Sequence, residues 1–172
     1  GLSLGGGVVA SFAIDHPDKV DRLVLVDPAL QGWEWSADWI AGFGACVKAA
    51  RTGNVAEARE LWWNNPLFAP LRKNPELAAE LRREIDAFAG RQWIRDPHRK
   101  VMPDIDRLHT IAAPTLLLMG KRDLPDFQLA ADLIEAAVPD VVRVDYPGAG
   151  HVLTLERPEA VARTIARFVA SE

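Results

Sequence analysis

Three side chains in this sequence have the types needed for nucleophilic catalysis, and they come in the order Ser3, Asp123, His151. Ser3 sits in Gly1-Leu2-Ser3-Leu4-Gly5, a G-x-S-x-G pattern that puts a serine on a sharp strand-to-helix turn, where small flanking residues let the backbone fold back. A serine hydroxyl attacks a carbonyl poorly until an imidazole takes its proton. The imidazole in turn needs a carboxylate to hold its tautomer and stabilise its charge. A helix opening at the turn would supply the remaining element, because its first N–H groups are free and its dipole favours negative charge. The Leu4 N–H is the natural donor to an oxyanion formed at Ser3.

These residues need a frame. Val8 and Phe12 lie four apart, on one face of a helix that starts at the turn and stops at His16-Pro17. The β-type run from Arg22 to Val26, ended by Asp27-Pro28, and the apolar run from Thr115 to Met119 read as buried strands of a parallel sheet. A helix follows from about Asp126 to Ala137. Val141 to Tyr146 reads as an edge strand in which Val142 and Val144 alternate with Arg143 and Asp145. Pro158 to Ala170 carries Val161, Ile165, Phe168 and Val169 on a closing helix. Ser3, Asp123 and His151 then each stand just beyond the carboxyl end of a strand, where open α/β sheets place their sites. Asp27 also ends a strand and is the alternative acid, whereas Asp126 reads as a helix N-cap.

Between Gln31 and Thr110 the pattern is helical. Trp35, Trp39, Ile40, Phe43 and Val47 form one stripe, Val55, Ala58, Leu61 and Trp62 a second, and Leu77, Leu81, Ile85 and Phe88 a third. Gly53, Pro66, Pro70, Pro75, Gly90 and Pro97 punctuate them. All 6 Trp fall between Trp33 and Trp93, which suits packing between helices and also an aromatic pocket wall. The expected division is a core of residues 1–30 and 111–172 with a helical cap of residues 31–110.

Four stretches carry a resemblance: GLSLGG at Gly1, HPDKVDRLVLVDP at His16, APTLLLMGKRD at Ala113 and PGAGHVLTLERPEAV at Pro147. They are similar to the α/β-hydrolase-fold family, and the chain resembles the C-terminal part of such an enzyme, with its helical middle in the place of the family's variable cap. The resemblance implies an α/β fold with a partial parallel sheet, flanking helices, a cap insertion and the N-terminal strands absent. It also implies Ser3 as nucleophile, Asp123 as acid, His151 as base and the Leu4 N–H as one oxyanion donor. The family's second donor sits on an earlier His-Gly-type loop, which would lie upstream of Gly1. With no initiator Met, the chain is expected to be a fragment, poorly stable and inactive by itself, with an unpaired apolar edge on the Leu23 to Val26 strand.

Composition narrows the partners. At 172 residues, 49% of them hydrophobic and 26% charged, the chain can bury the core of one domain, and a net charge of -4 with scattered Lys and Arg argues against nucleic acid. No apolar run approaches the roughly 18 to 20 residues that span a bilayer. The single cysteine, Cys46, excludes an internal disulfide and suits a small buried residue in a reducing, cytoplasmic setting. His16 reads as a helix-end residue, and His98 and His109 lack the neighbours of a metal ligand, so neither metal nor cofactor is expected. The expected activity is hydrolysis of a small, largely apolar ester, lactone or related carbonyl compound through an acyl-enzyme. Carbon–carbon bond hydrolysis and cofactor-free haloperoxidase or perhydrolase chemistry use the same triad. A dehalogenase is disfavoured, since related dehalogenases have a carboxylate where this chain has Ser3. A non-catalytic protein holding a small ligand is the reading from a different class.

Overall fold

Every residue of β2, Thr115–Gly120, is buried, as an unbroken apolar run requires of a strand with neighbours on both sides. It lies between β1, Leu23–Val26, and β3, Val141–Tyr146, in the order β1-β2-β3, and both pairings are parallel. The register sets Val26 opposite Leu118 and Gly120 opposite Tyr146. Along the other side of β1, Leu2 bridges to Val26 in parallel, and the Ser3 N–H donates to Val26 O at 2.9 Å. The structure is a computed structural model that describes residues 1–95 and 102–170. Pro97 and His98 lie outside the described residues.

Helix α1, Leu4–Asp15, begins immediately after Ser3. It buries Gly6, Gly7, Ala10, Ala13 and Ile14, while Val8 and Phe12 are 61% and 44% exposed, so the stripe seen in the sequence is the outward face. Close approach explains the choice: a Cβ on Gly6 would lie 2.8 Å from Pro28 Cβ, and one on Gly7 2.6 Å from Ala29 O. Only the small-residue face can sit that close to the segment following β1.

Two further departures concern the sheet's far side. On β3, Val142 is 52% exposed, so the alternation does not give a simple apolar inner face. Arg143 is instead the packed residue. Helix α6, Pro125–Ala137, brings Asp132 and Glu135 to 2.6 and 2.9 Å from its guanidinium, and Asp145 accepts from its Nε at 2.8 Å. These carboxylates hold its pKa above the usual range, although burial acts against them. Helix α7, Leu153–Glu156, and helix α8, Pro158–Ala170, complete the cover, with Leu153 and Val161 packed on Val26, Leu116 and Leu118.

The chain divides into two compact units, Gly1–Trp33 with Met102–Glu172, and Glu34–Val101. In the first, the outgoing and returning segments run side by side: the Asp104 N–H donates to Gln31 O at 2.9 Å, and a Cβ on Gly32 would lie 2.5 Å from Pro103 Cβ. Buried Asp104 fastens the return to α1, accepting from the Ser11 hydroxyl and from Arg107 Nη2 at 2.8 Å. The second unit holds α2, Ala37–Arg51, α3, Val55–Trp63, α4, Pro75–Ala87, and α5, Arg91–Ile94, with no strand among its described residues. Side chains of Ser36, Asn54 and Asn74 cap α2, α3 and α4. Trp62 meets the rings of Trp39, Phe43, Phe68 and Trp93 edge-on at centroid distances of 5.2 to 6.2 Å. Cys46 is buried, which pushes its thiol pKa up.

Candidate active site

Ser3 occupies the N-cap position of α1 at φ 51 and ψ -120. Positive φ is costly for a residue with a Cβ, of the order of 1–3 kcal/mol, and such strain collects at functional sites. The hydroxyl makes no capping bond to the helix, so capping does not account for a serine here. Gly1 is required, because a Cβ on it would lie 2.2 Å from Gly5 O. Gly5 is not, since a Cβ on it would meet nothing within 4 Å, so only one of the two pattern glycines answers to space. Leu4 is the first helical residue, and its N–H has no acceptor within the helix.

Asp123 and His151 come together. His151 Nδ1 lies 2.7 Å from Asp123 Oδ2, and Asp123 Oδ1 accepts the Leu124 N–H at 2.7 Å. Both residues are buried, with the His151 ring 4.3 Å from that of Phe127. His151 Nε2 is also buried and has no hydrogen-bond partner, so the Ser3 hydroxyl is not bonded to it in this structure. Such bonds often tighten only when substrate arrives.

The loops carrying this pair are stitched together through the main chain. The Arg122 N–H donates to Ala149 O at 2.8 Å and the Lys121 N–H to Tyr146 O at 3.2 Å, while within the His151 segment the Gly150 N–H donates to the Glu156 side chain, Oε2, at 2.9 Å. A Cβ on Gly120 would lie 2.0 Å from Gly150 O and 2.9 Å from Ala149 O, both backbone atoms that cannot swing aside. Gly120→Ala is therefore expected to cost about 3 kcal/mol, the upper part of the range for overpacking, and to lower the melting temperature by about 10 °C. A thermal melt checks this; an unchanged midpoint would mean the two loops can separate without penalty.

Asp27, the alternative acid of the sequence, is placed differently. It follows β1 at φ 40, is fully buried, and accepts the Gly120 N–H at 2.7 Å through Oδ1, while Oδ2 has no partner. Burial, with Asp123 and Glu156 nearby, pushes its pKa up to about 9. A carboxyl with that value in the fold and 3.8 when the chain is open holds its proton more tightly folded. Its contribution to stability is complete below pH 3.8, declines as pH rises above it, and is lost through about pH 9. Asp126 is not the N-cap of α6, a position held by Leu124; it lies in the first turn, and its Oδ1 accepts from Trp33 Nε1 at 3.4 Å. His16 ends α1, and His109 is exposed.

The main-chain contacts of Asp27, Glu156 and Gln128, whose Nε2 donates to Gly120 O at 2.6 Å, have no signature in the sequence pattern. Asp27 reaches main chain 93 positions away, Gln128 and Glu156 only 8 and 6. The one available signal was Asp27 at a strand end. Among the described residues, no group of three or more His, Cys, Asp or Glu is arranged to hold a metal ion, and no helix is long and apolar enough to cross a membrane.

Residues 1–164 match the Alpha/beta hydrolase family, and the chain belongs to that family. It is 28% identical over 179 residues to carboxylesterase YbfK of Bacillus subtilis, covering 98% of this chain and 56% of that protein. The chain thus spans little more than half the length of this relative. Its fold is similar to that of MenH from S. aureus, with a TM-score of 0.83 at 19% identity over 98% of this chain and 66% of that one. Naproxen esterase (carboxylesterase NP) from Bacillus subtilis superposes with a TM-score of 0.70 at 22% identity, over 98% and 58% of the two chains.

Proposed function

We propose that this chain is the C-terminal part of a serine hydrolase that cleaves a small, largely apolar ester or lactone through an acyl-enzyme. Ser3 Oγ attacks the carbonyl, His151 Nε2 takes its proton and returns it to the leaving group, and Asp123 holds the imidazole by Nδ1. The Leu4 N–H, at the positive end of α1, donates to the oxyanion. Water, activated by the same imidazole, then releases the acid. The activity is proposed for the whole protein, since the chain spans little more than half the length of carboxylesterase YbfK.

The observation that carries this reading is the buried Asp123–His151 pair, whose Nε2 is enclosed yet bonded to nothing. A histidine kept only for packing would not need a buried carboxylate, and one kept only for a structural bond would have both nitrogens satisfied. The likeness to a carboxylesterase supports the ester, and the Trp-rich helical segment, read from the sequence as a cap, supports an apolar one. A fluorophosphonate probe applied to the full-length native protein is expected to label Ser3 and to block hydrolysis of short p-nitrophenyl esters. A native protein that neither labels at Ser3 nor turns over esters would favour a non-catalytic ligand-binding role.

A further inference from the structure

We propose that Asp27 is a positioning residue of this site: its carboxyl grips the Gly120 amide and so holds the loop that presents Asp123 to His151. The proposal rests on the Ser3–His151–Asp123 reading and adds to it a fourth group that does not touch substrate.

The geometry begins with the backbone. Asp27 leaves β1 at φ 40, in the left-handed region that Asp tolerates better than most residues with a Cβ. Its own N–H donates to Leu118 O at 2.9 Å, keeping it in step with β2, and its side chain crosses to Gly120 further along that strand. Gly120 is thereby fixed at both poles. Its N–H donates to Asp27 Oδ1 at 2.7 Å, and its carbonyl accepts from Gln128 Nε2 at 2.6 Å and from the Asp123 N–H at 3.1 Å. The last of these bonds closes the turn that carries the Asp123 carboxylate.

Gly120 is also where the loop of the acid meets the loop of the base, since a Cβ there would run into Gly150 O. The base loop has a carboxyl of its own: Glu156 Oε2 accepts the Gly150 N–H at 2.9 Å. Two carboxyls therefore hold two touching glycines, each close in sequence to one member of the buried pair. Asp27 cannot at the same time be the partner of His151, because Nδ1 is occupied by Asp123.

Protonation follows from what surrounds Asp27. The titratable groups near it are Asp123 after β2 and Glu156 on α7, with His151 beyond Asp123. Two acids and full burial keep the proton on Asp27 up to about pH 9, so the gripping group is a neutral carboxylic acid that accepts through Oδ1. Asparagine has the same shape, the same charge and the same accepting oxygen.

The test uses the full-length protein with Asp27→Asn, Asp27→Ala and Asp123→Asn, each characterised by a thermal melt and by kcat and KM across pH 6 to 10. Asp27→Asn, which keeps the accepting oxygen and the neutral charge, is expected to keep kcat within about threefold of the parent. Asp27→Ala is expected to lower kcat by about 10- to 100-fold with little change in KM, the range seen when a group supporting a catalytic residue is removed. Loss of activity in a folded Asp27→Asn protein as deep as in Asp123→Asn would overturn the proposal and make Asp27 the catalytic acid. Parental kcat in Asp27→Ala would show that the grip on Gly120 does not matter. Should Asp27→Ala fail to fold, Asp27→Leu, which nearly keeps the volume but cannot accept from the Gly120 N–H, takes its place with the same expected and overturning results. A parent protein that neither labels at Ser3 nor hydrolyses esters would overturn the hydrolase reading and this proposal with it.

Discussion

Ser3→Ala in the full-length protein is expected to lower kcat by about 10⁴- to 10⁶-fold, the largest effect of any single substitution in this chain. The residual rate would come from substrate binding and from the oxyanion donors, which survive the change. Stability should barely move. The Ser3 hydroxyl makes no capping bond, and alanine would carry the same backbone strain at φ 51. A melting temperature within a few degrees of the parent, together with loss of both turnover and fluorophosphonate labelling, is the expected pattern. Turnover that persists would place the nucleophile elsewhere.

Asp123→Asn comes second, with an expected fall in kcat of about 10⁴-fold and a much smaller change in KM. Asparagine fits the space, but its amide N–H would donate to His151 Nδ1, driving the ring proton to Nε2. That removes the lone pair which, in the proposed mechanism, accepts the Ser3 proton. The buried surroundings sharpen the effect: Asp123 Oδ2 lies 2.7 Å from Nδ1, and Phe127 lies against the ring, which leaves little freedom to flip. Single-turnover kinetics would locate the loss in acylation. A variant losing less than about tenfold would mean that another group orients the imidazole.

The sheet was legible where one face of the chain chemistry dominated. Thr115 to Met119 is apolar at every position but the first, and only a strand with neighbours on both sides buries such a run. The helices opening with Pro125 and Pro158 were legible for a similar reason, since proline fits a first turn and little else in a helix. Ser3 could be singled out because a serine between glycines at a turn is rare enough to be informative.

Where two distant segments decide the outcome, the sequence was silent or misleading. Val8 and Phe12 share one helical face in the sequence, which does not say whether it turns inward; the close approach of Pro28 and Ala29 reserves the inner face of α1 for Gly6, Gly7 and Ala10. Arg143 looked like a solvated residue of an edge strand, and three carboxylates gathered from β3 and α6 make it a packed one. Asp27-Pro28 looked like the end of a strand, which it is, but a bond to Gly120 across 93 positions of sequence has no local signature. Backbone conformation was hidden too, as nothing in the residue types announces that Asp27 turns at positive φ.

The paired segments at Gln31 and Asp104 have a consequence for how such a protein can diversify. Because the chain leaves and re-enters its first unit through one hydrogen-bonded doorway, the sheet does not depend on the length of what lies between. Loop-closure entropy grows only with the logarithm of loop length, so exchanging, trimming or enlarging the intervening helical segment costs the fold little once the doorway is shut. Ser11, Asp104 and Arg107 are the bolt on that door. The intervening segment can then be replaced whole while the sheet and the loops at its strand ends are inherited unchanged, a modular route of change that point substitution in the sheet could not follow.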